Sequence, residues 1–272
     1  MKNILKDMTW QEVKDALKST KVAIIPVGST EQHGLHLPLG TDYLTAEYFA
    51  KKIAEKVDDV LITPTVPVGF AHYHTSFEGT LSVNPEILSG YYQGIADSLI
   101  SYGITHILFL NAHGGNKGTI LNVCRNLRSR GITAAGINWW LIVSKMRKEW
   151  QTTGHGDITE TSLMLLISPD NVKLDKAAVP VNKKLTDKIQ TLGGPPCKFK
   201  EGNVDFYLMM EDVTDTGNIL EYDYFPNADF TVSPAGASIE RGKEVTEAIV
   251  NYTIEFIEEF KKIKFKPTKL QD

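Results

Sequence analysis

Glu31 and His33 stand two positions apart, and Asp42 follows nine residues after His33, across a loop turned by Gly34, Pro38 and Gly40. In an extended segment, positions i and i+2 point the same way, so a carboxylate and an imidazole would face one site. Glu, His and Asp together suit a divalent metal of the zinc, manganese or iron group. The segment equally fits a plainer arrangement, with Asp42 as a helix N-cap and Glu31 and His33 as polar loop residues. A second group, Asn111-Ala112-His113-Gly114-Gly115-Asn116, offers His113 as a further ligand among glycines that permit close backbone approach. Its Gly-rich turn could instead cradle a phosphate, although it has neither the Gly-Lys-Ser/Thr ending nor a G-x-G-x-x-G. The third group is Gly154-His155-Gly156-Asp157-Ile158-Thr159-Glu160-Thr161-Ser162. Its Asp157, with Glu160 three positions on, has the form of a capping box. A fourth, His72-Tyr73-His74-Thr75-Ser76-Phe77-Glu78-Gly79-Thr80, adds two histidines. His36 and His106 are expected to be structural, the latter because it begins a strand.

The elements that must position these groups alternate from residue 20 to 170. Apolar runs at 22–27, 60–66, 105–110 and 132–138 read as strands. Amphipathic stretches at 42–57, 85–102 and 117–130 read as helices; the second has Asn84 as N-cap, Pro85 at the first position and Gly103 beyond the end. Such alternation predicts an α/β fold, a mainly parallel sheet flanked by helices on both faces. Ligands in such sheets bind beyond the carboxyl ends of the strands, where Glu31, His33 and His113 fall. Residues 170–238, with Pro180, Gly193-Gly194-Pro195-Pro196, Gly202, Gly217, Pro226 and Pro234, read as an irregular, loop-rich excursion suited to lid or subunit contacts. Helix resumes at 238–260, and the lysines after it (Lys261, Lys262, Lys264, Lys266, Lys269) suit a helix C-terminus and a solvated tail. The whole is expected to be one domain.

The chain has 272 residues, 42% hydrophobic and 23% charged, with 29 basic against 33 acidic side chains. That composition excludes a collagen-like or largely disordered chain. A net charge of −4 leaves no electrostatic footprint for nucleic acid. Two cysteines, Cys124 and Cys197, are too few for a disulfide framework or a four-thiolate zinc site. With no transmembrane run and no signal-like amino terminus, a cytoplasmic location is expected and no membrane partner. All seven histidines lie within the first 155 residues, so the imidazole chemistry must come from there.

The motifs Pro26-Val27-Gly28-Ser29-Thr30-Glu31-Gln32-His33-Gly34, Leu39-Gly40-Thr41-Asp42, Asn111-Ala112-His113-Gly114-Gly115-Asn116 and Glu160-Thr161-Ser162 resemble, in that order, those of the creatininase family. The resemblance implies a three-layer α/β fold, a homo-hexamer, and one or two divalent metal ions (Zn, Mn or Fe) at the carboxyl ends of the strands. It implies hydrolysis of a C–N bond in a small cyclic amide or formamide. Position by position, Glu31, His33, Asp42 and His113 match metal ligands, with Asp42 in the bridging place. His155 matches a proton-moving histidine that contacts substrate, and Glu160 matches an acidic residue near the metals that ligates or orients His155. His74, Trp140, Gly114, Gly115 and Asn116 are expected at the substrate, with Trp139 and Phe77 as further wall candidates. Creatininase proper carries a glutamate where Gly115 stands, so either Glu160 supplies that ligand or a second metal is weak or absent. Two other activities fit the motifs: hydrolysis of a C–C bond in a sugar-like cyclic diketone, and non-catalytic binding of a ligand or phosphate.

Overall fold

Val22–Val27 forms the strand β1, and every one of its six residues is buried. A strand covered on both faces needs such a continuous apolar run. After α1 (Trp10–Ala16), which precedes β1, come α2 (Thr41–Ala54), β2 (Val60–Ile62), α3 (Pro85–Ser101), β3 (His106–Asn111), α4 (Asn116–Ser129) and β4 (Thr133–Asn138). The first four strands make one parallel sheet in the order β2-β1-β3-β4. The computed structural model describes residues 3–150, 154–194, 196–222 and 229–268. Pro195, Pro226 and Lys269, singled out in the sequence, lie outside these stretches.

Alternate residues of the central strands feed two separate cores. Val22, Ile24, Leu108 and Leu110 pack on α2 and on the C-terminal helices, while Ala23, Ile25, Val27, Ile107 and Phe109 pack on α3 and α4. The expected sheet with helices on both faces is thus what the chain forms. β2 stops at Ile62 rather than running to Val66, because Pro64 has no N–H to donate to the ladder; only an isolated bridge joins Val66 to Val27. Asn84 makes no side-chain cap, leaving Pro85 to start α3.

Beyond β4 the chain continues through α5 (Trp139–Met146) and α6 (Ile158–Ile167). The excursion is more regular than its composition suggests. It holds a four-stranded antiparallel sheet, β5 (Lys184–Thr186), β6 (Ile189–Thr191), β7 (Pro196–Phe199) and β8 (Gly202–Asp205), followed by the single turn α7 (Met210–Val213). Met210, Val213 and Ile219 pack with Tyr73, Phe77 and Leu208, which moors the excursion beside the mouth of the parallel sheet. The last helix, α8 (Ile239–Phe260), crosses α6 so closely that a Cβ on Gly242 would lie 2.4 Å from the Ser162 carbonyl oxygen. No helix among the described residues is long and apolar enough to cross a membrane. Cys124 and Cys197 are both free thiols.

Candidate metal centre

β1 and β3 are neighbours whose helices leave towards opposite faces, and their last paired residues are Val27 and Asn111. The crevice outside such a switch point is where open α/β sheets hold ligands. The loop after β1 carries Glu31 and His33 into it, and the turn after β3 carries His113. Asp42, in the first turn of α2, and Glu160, in the first turn of α6, close the ring. Three sets of ligand atoms lie close enough to hold an ion: Glu31/Asp42/His113, His33/Asp42/Glu160 and Glu31/His33/His155. Asp42 belongs to the first two. Its Oδ1 lies 2.9 Å from His33 Nε2 and its Oδ2 3.2 Å from His113 Nδ1.

The hydrogen positions decide what this cluster wants. His113 donates Nε2–H to the Phe70 carbonyl at 2.8 Å, so Nδ1 is bare in the neutral ring. That lone pair faces Glu31 Oε2 at 3.1 Å and Asp42 Oδ2 at 3.2 Å, and both oxygens are buried without a hydrogen-bond partner. Three acceptors converging on one point without a hydrogen between them are unfavourable unless a cation joins them. His33 repeats the pattern, with Nδ1–H on the Glu31 carbonyl at 3.1 Å. Its Nε2, facing Asp42, must then carry a second proton or a bond to a cation. The residues therefore fit a metal, and the mixed nitrogen and carboxylate set suits zinc, manganese or iron.

The electrostatics say the same. Burial disfavours charge on His33, yet the Asp42 carboxylate overrides it and raises the pKa to about 10. Burial likewise opposes charge on His113, and Glu31 and Asp42 push it well above the usual histidine range. Asp42, despite burial, is held well below the carboxylate range by His33 and His113. Glu160 goes the other way: burial raises it to about 8, helped by Asp157 and Asp42. A site that holds so many carboxylates calls for positive charge.

Asp157 caps α6, accepting from the N–H groups of Thr159 and Glu160. Glu160 does not complete a capping box. Its Oε2 accepts from Gly156 N–H at 2.7 Å, and its Oε1 points to the cluster, 4.0 Å from His33 Nε2. His155 stacks between His33 and His74, at ring-centroid distances of 4.0 and 4.5 Å. Burial, with the charge on His33, keeps His155 well below its usual pKa. His74 is neutral for the same reason, burial, with His155 beside it.

A cavity of about 280 Å³ opens from Glu31, His74, His113 and His155. Trp140, Gly114 and Gly115 line it, together with Phe70, Tyr73, Lys117 and, from the excursion, Phe206, Leu208, Met210, Ile219 and Glu221. A Cβ on Gly114 would meet nothing within 4 Å, so that glycine leaves the cavity open. Two expectations need correction. Asn116 does not reach the substrate space: it is wholly buried, accepting from Phe70 N–H and donating to the Gly28 carbonyl. Phe77 packs beneath the excursion, whereas Trp139, set edge-on against Phe49, lines with Trp140 a smaller pocket beside Asp42, His113 and Glu160. His74 lines the cavity, but its Nε2 is directed at Glu31 Oε1, 3.3 Å away. His36 and His106 are structural, bonding to Thr161 Oγ1 and the Ile263 carbonyl. Glu221 and Gln32 escaped the sequence reading. The first sits in Gly- and Pro-rich sequence with no motif; the second lies at i+1, on the side that the alternation of Glu31 and His33 turns away.

Gly115 explains the missing glutamate. A Cβ there would lie 2.0 Å from the Phe70 oxygen and 2.6 Å from His113 Nε2, the two atoms of the bond that fixes His113. Gly115→Ala is therefore expected to weaken zinc affinity about 10- to 100-fold, the usual cost of losing a ligand's supporting hydrogen bond. A chelator-competition titration checks it, and unchanged affinity would mean that the Phe70 carbonyl does not orient the ring.

Known proteins share this sequence pattern and fold. The creatininase family (creatinine amidohydrolase) profile matches residues 6–257. A mycofactocin precursor peptide peptidase of Mycolicibacterium smegmatis is 34% identical over 166 residues, 57% of this chain and 61% of that protein, so the match spans about three-fifths of that relative's length. A creatinine amidohydrolase of Pseudomonas putida is 29% identical over 62% of this chain and 74% of its own. A 3-dehydro-scyllo-inosose hydrolase of Thermotoga maritima is 26% identical over 60% of this chain and 55% of its own. Among solved structures, a manganese creatininase superposes with a TM-score of 0.72 at 26% identity, covering 94% of this chain and 98% of that one. A mutant creatininase of Zn-Zn type gives 0.71 with the same identity and coverage. With the profile running through the whole sheet, the ring of candidate ligands and most of the last helix, the chain belongs to the creatininase family.

Proposed function

We propose that this protein is a metal-dependent hydrolase that directs activated water at the carbonyl carbon of a small, cyclic amide or a formamide. One observation carries the reading: the two oxygens of Asp42 face two different imidazole nitrogens, and each nitrogen belongs to a separate set of acceptors in need of a cation. Glu31, Asp42 and His113 would hold one divalent ion, and His33, Asp42 and Glu160 a second. When bound, such ions polarise a carbonyl oxygen and make water a nucleophile at neutral pH.

The chain's own residues do the rest. His155 is neutral and donates its Nε2–H to the Gln32 carbonyl, so its Nδ1 is free to take a proton from the attacking water. The same nitrogen then returns that proton to the departing nitrogen. Trp140, Phe70 and Tyr73 shield the reacting group from bulk water, and Leu208 and Met210 extend the apolar wall from the excursion. Largely apolar and aromatic walls favour an amide with an apolar substituent over a polyol ring bristling with hydroxyls. That weighs against the cyclic diketone as substrate.

The test is a panel of formamides, cyclic ureas, short peptides and keto-inositols, assayed with zinc or manganese and again with chelator. Chelator-sensitive release of amine and formate from a formamide, or ring opening of a cyclic amide, is expected. Turnover of the keto-inositols alone, or turnover indifferent to chelator, would overturn the reading.

A further inference from the structure

Gln32 lies between two of the cluster's residues yet sends its side chain away from them, into the layer behind. Two backbone groups fix which end of its amide is which. Gly34 N–H donates to Oε1 at 3.0 Å, and Nε2 donates to the Gly217 carbonyl at 2.9 Å. A backbone donor on one side and a backbone acceptor on the other leave no freedom to flip. The approach of Gly217 is so close that a Cβ on it would sit 2.0 Å from Oε1, and its φ of +91° also calls for glycine.

One amide hydrogen remains on Nε2, with two imidazole nitrogens nearby: His74 Nδ1 at 2.7 Å and His155 Nε2 at 3.2 Å. The second is excluded. His155 Nε2 is hydrogen-bonded to the carbonyl oxygen of Gln32 itself, which can only accept, so that nitrogen is the donor. His155 Nε2 therefore carries a hydrogen and cannot accept one. The last amide hydrogen goes to His74 Nδ1, which must be bare, so the hydrogen of neutral His74 is on Nε2. That atom faces Glu31 Oε1 at 3.3 Å.

We propose that Gln32 is a positioning residue, whose side-chain amide holds His74 in the Nε2–H form and whose backbone carbonyl holds His155 in the Nε2–H form. The consequences run straight to the cluster. His74 can donate to Glu31 Oε1, which leaves Oε2 turned to His113 Nδ1 at 3.1 Å. His155 presents its bare Nδ1 towards Glu31 Oε1, 3.8 Å away, and the cavity. Without the amide donor, His74 is free to present a lone pair to the Glu31 carboxylate, and the two would repel. One residue thus serves a candidate ligand through its side-chain amide and the proton carrier through its backbone carbonyl. Supporting hydrogen bonds of this kind orient metal ligands.

Neutron diffraction from crystals of the deuterated wild-type protein at mildly alkaline pH reads these positions directly and needs no substrate, so it stands apart from the hydrolytic reading. Deuterium is expected on Nε2 of both His74 and His155, with both Nδ1 atoms bare. Deuterium on Nδ1 of either ring in the wild type would overturn the assignment, whatever happens to any variant. In Gln32→Glu the new carboxylate can only accept, so the His74 deuterium is expected at Nδ1. At full metal occupancy, kcat should fall about 10- to 100-fold with KM little changed. A variant that folds, keeps the wild-type position of the His74 deuterium and keeps its kcat would also contradict the proposal.

Discussion

Asp42→Ala is expected to abolish metal binding and, with it, turnover. Among the described residues no other side chain meets both sets of acceptors, so its loss would remove a ligand from each ion at once. Metal-ion stabilisation of a reacting carbonyl is worth several kcal/mol, so the loss of rate should be at least about 10³-fold. The variant should still fold. Asp42 lies at the start of α2 and makes no helix cap, and the apolar side of that helix, Ala46, Phe49, Ala50 and Ile53, is untouched. Elemental analysis with a circular dichroism melt separates the two effects. A folded Asp42→Ala protein with full metal content and activity would show that the bridging carboxylate is not what holds the ions.

His155→Ala should behave differently. Metal content is expected to stay at the wild-type level, while turnover falls by about 10² to 10⁴, the range for losing a positioned proton carrier. His155 is an outer member of the cluster: its Nδ1 lies 3.8 Å from Glu31 Oε1, and its ring packs between His33 and His74 rather than between carboxylates. Its low pKa, set first by burial, means the ring is neutral at pH 7 and ready to accept a proton. If the substitution strips the metal instead, His155 belongs among the ligands, with Glu31 and His33, and another group must move the proton. The informative quantity is therefore metal per chain at the same time as rate.

These residues were readable because their chemistry and their position coincide. The apolar runs of β1 and β3 announce a buried parallel sheet, and the residues just past their ends must then face one crevice, which is how Glu31, His33 and His113 come together. Asp42 and Glu160 were visible for a related reason, since each begins a helix that follows a loop from that crevice. The excursion was opaque. The strands β5 and β8 have three and four residues, all exposed, so no alternation of polar and apolar side chains marks them. Its cavity-lining residues, Phe206, Leu208, Met210 and Glu221, gain their role only when Met210, Val213 and Ile219 pack beside Tyr73 and Phe77. Asn116 misled because a Gly-rich turn suggests ligand contact, whereas its side chain ties that turn to the Phe70 and Gly28 backbone. Gln32 was hidden by the period of two that revealed its neighbours.

The most direct test of the bridged centre is anomalous X-ray diffraction at the zinc edge, from crystals of wild-type protein loaded with zinc. The account predicts two peaks on either side of the Asp42 carboxylate, one bonded to Glu31 and His113 and the other to His33 and Glu160. A zinc-saturated crystal with no anomalous peak touching Asp42 would contradict it.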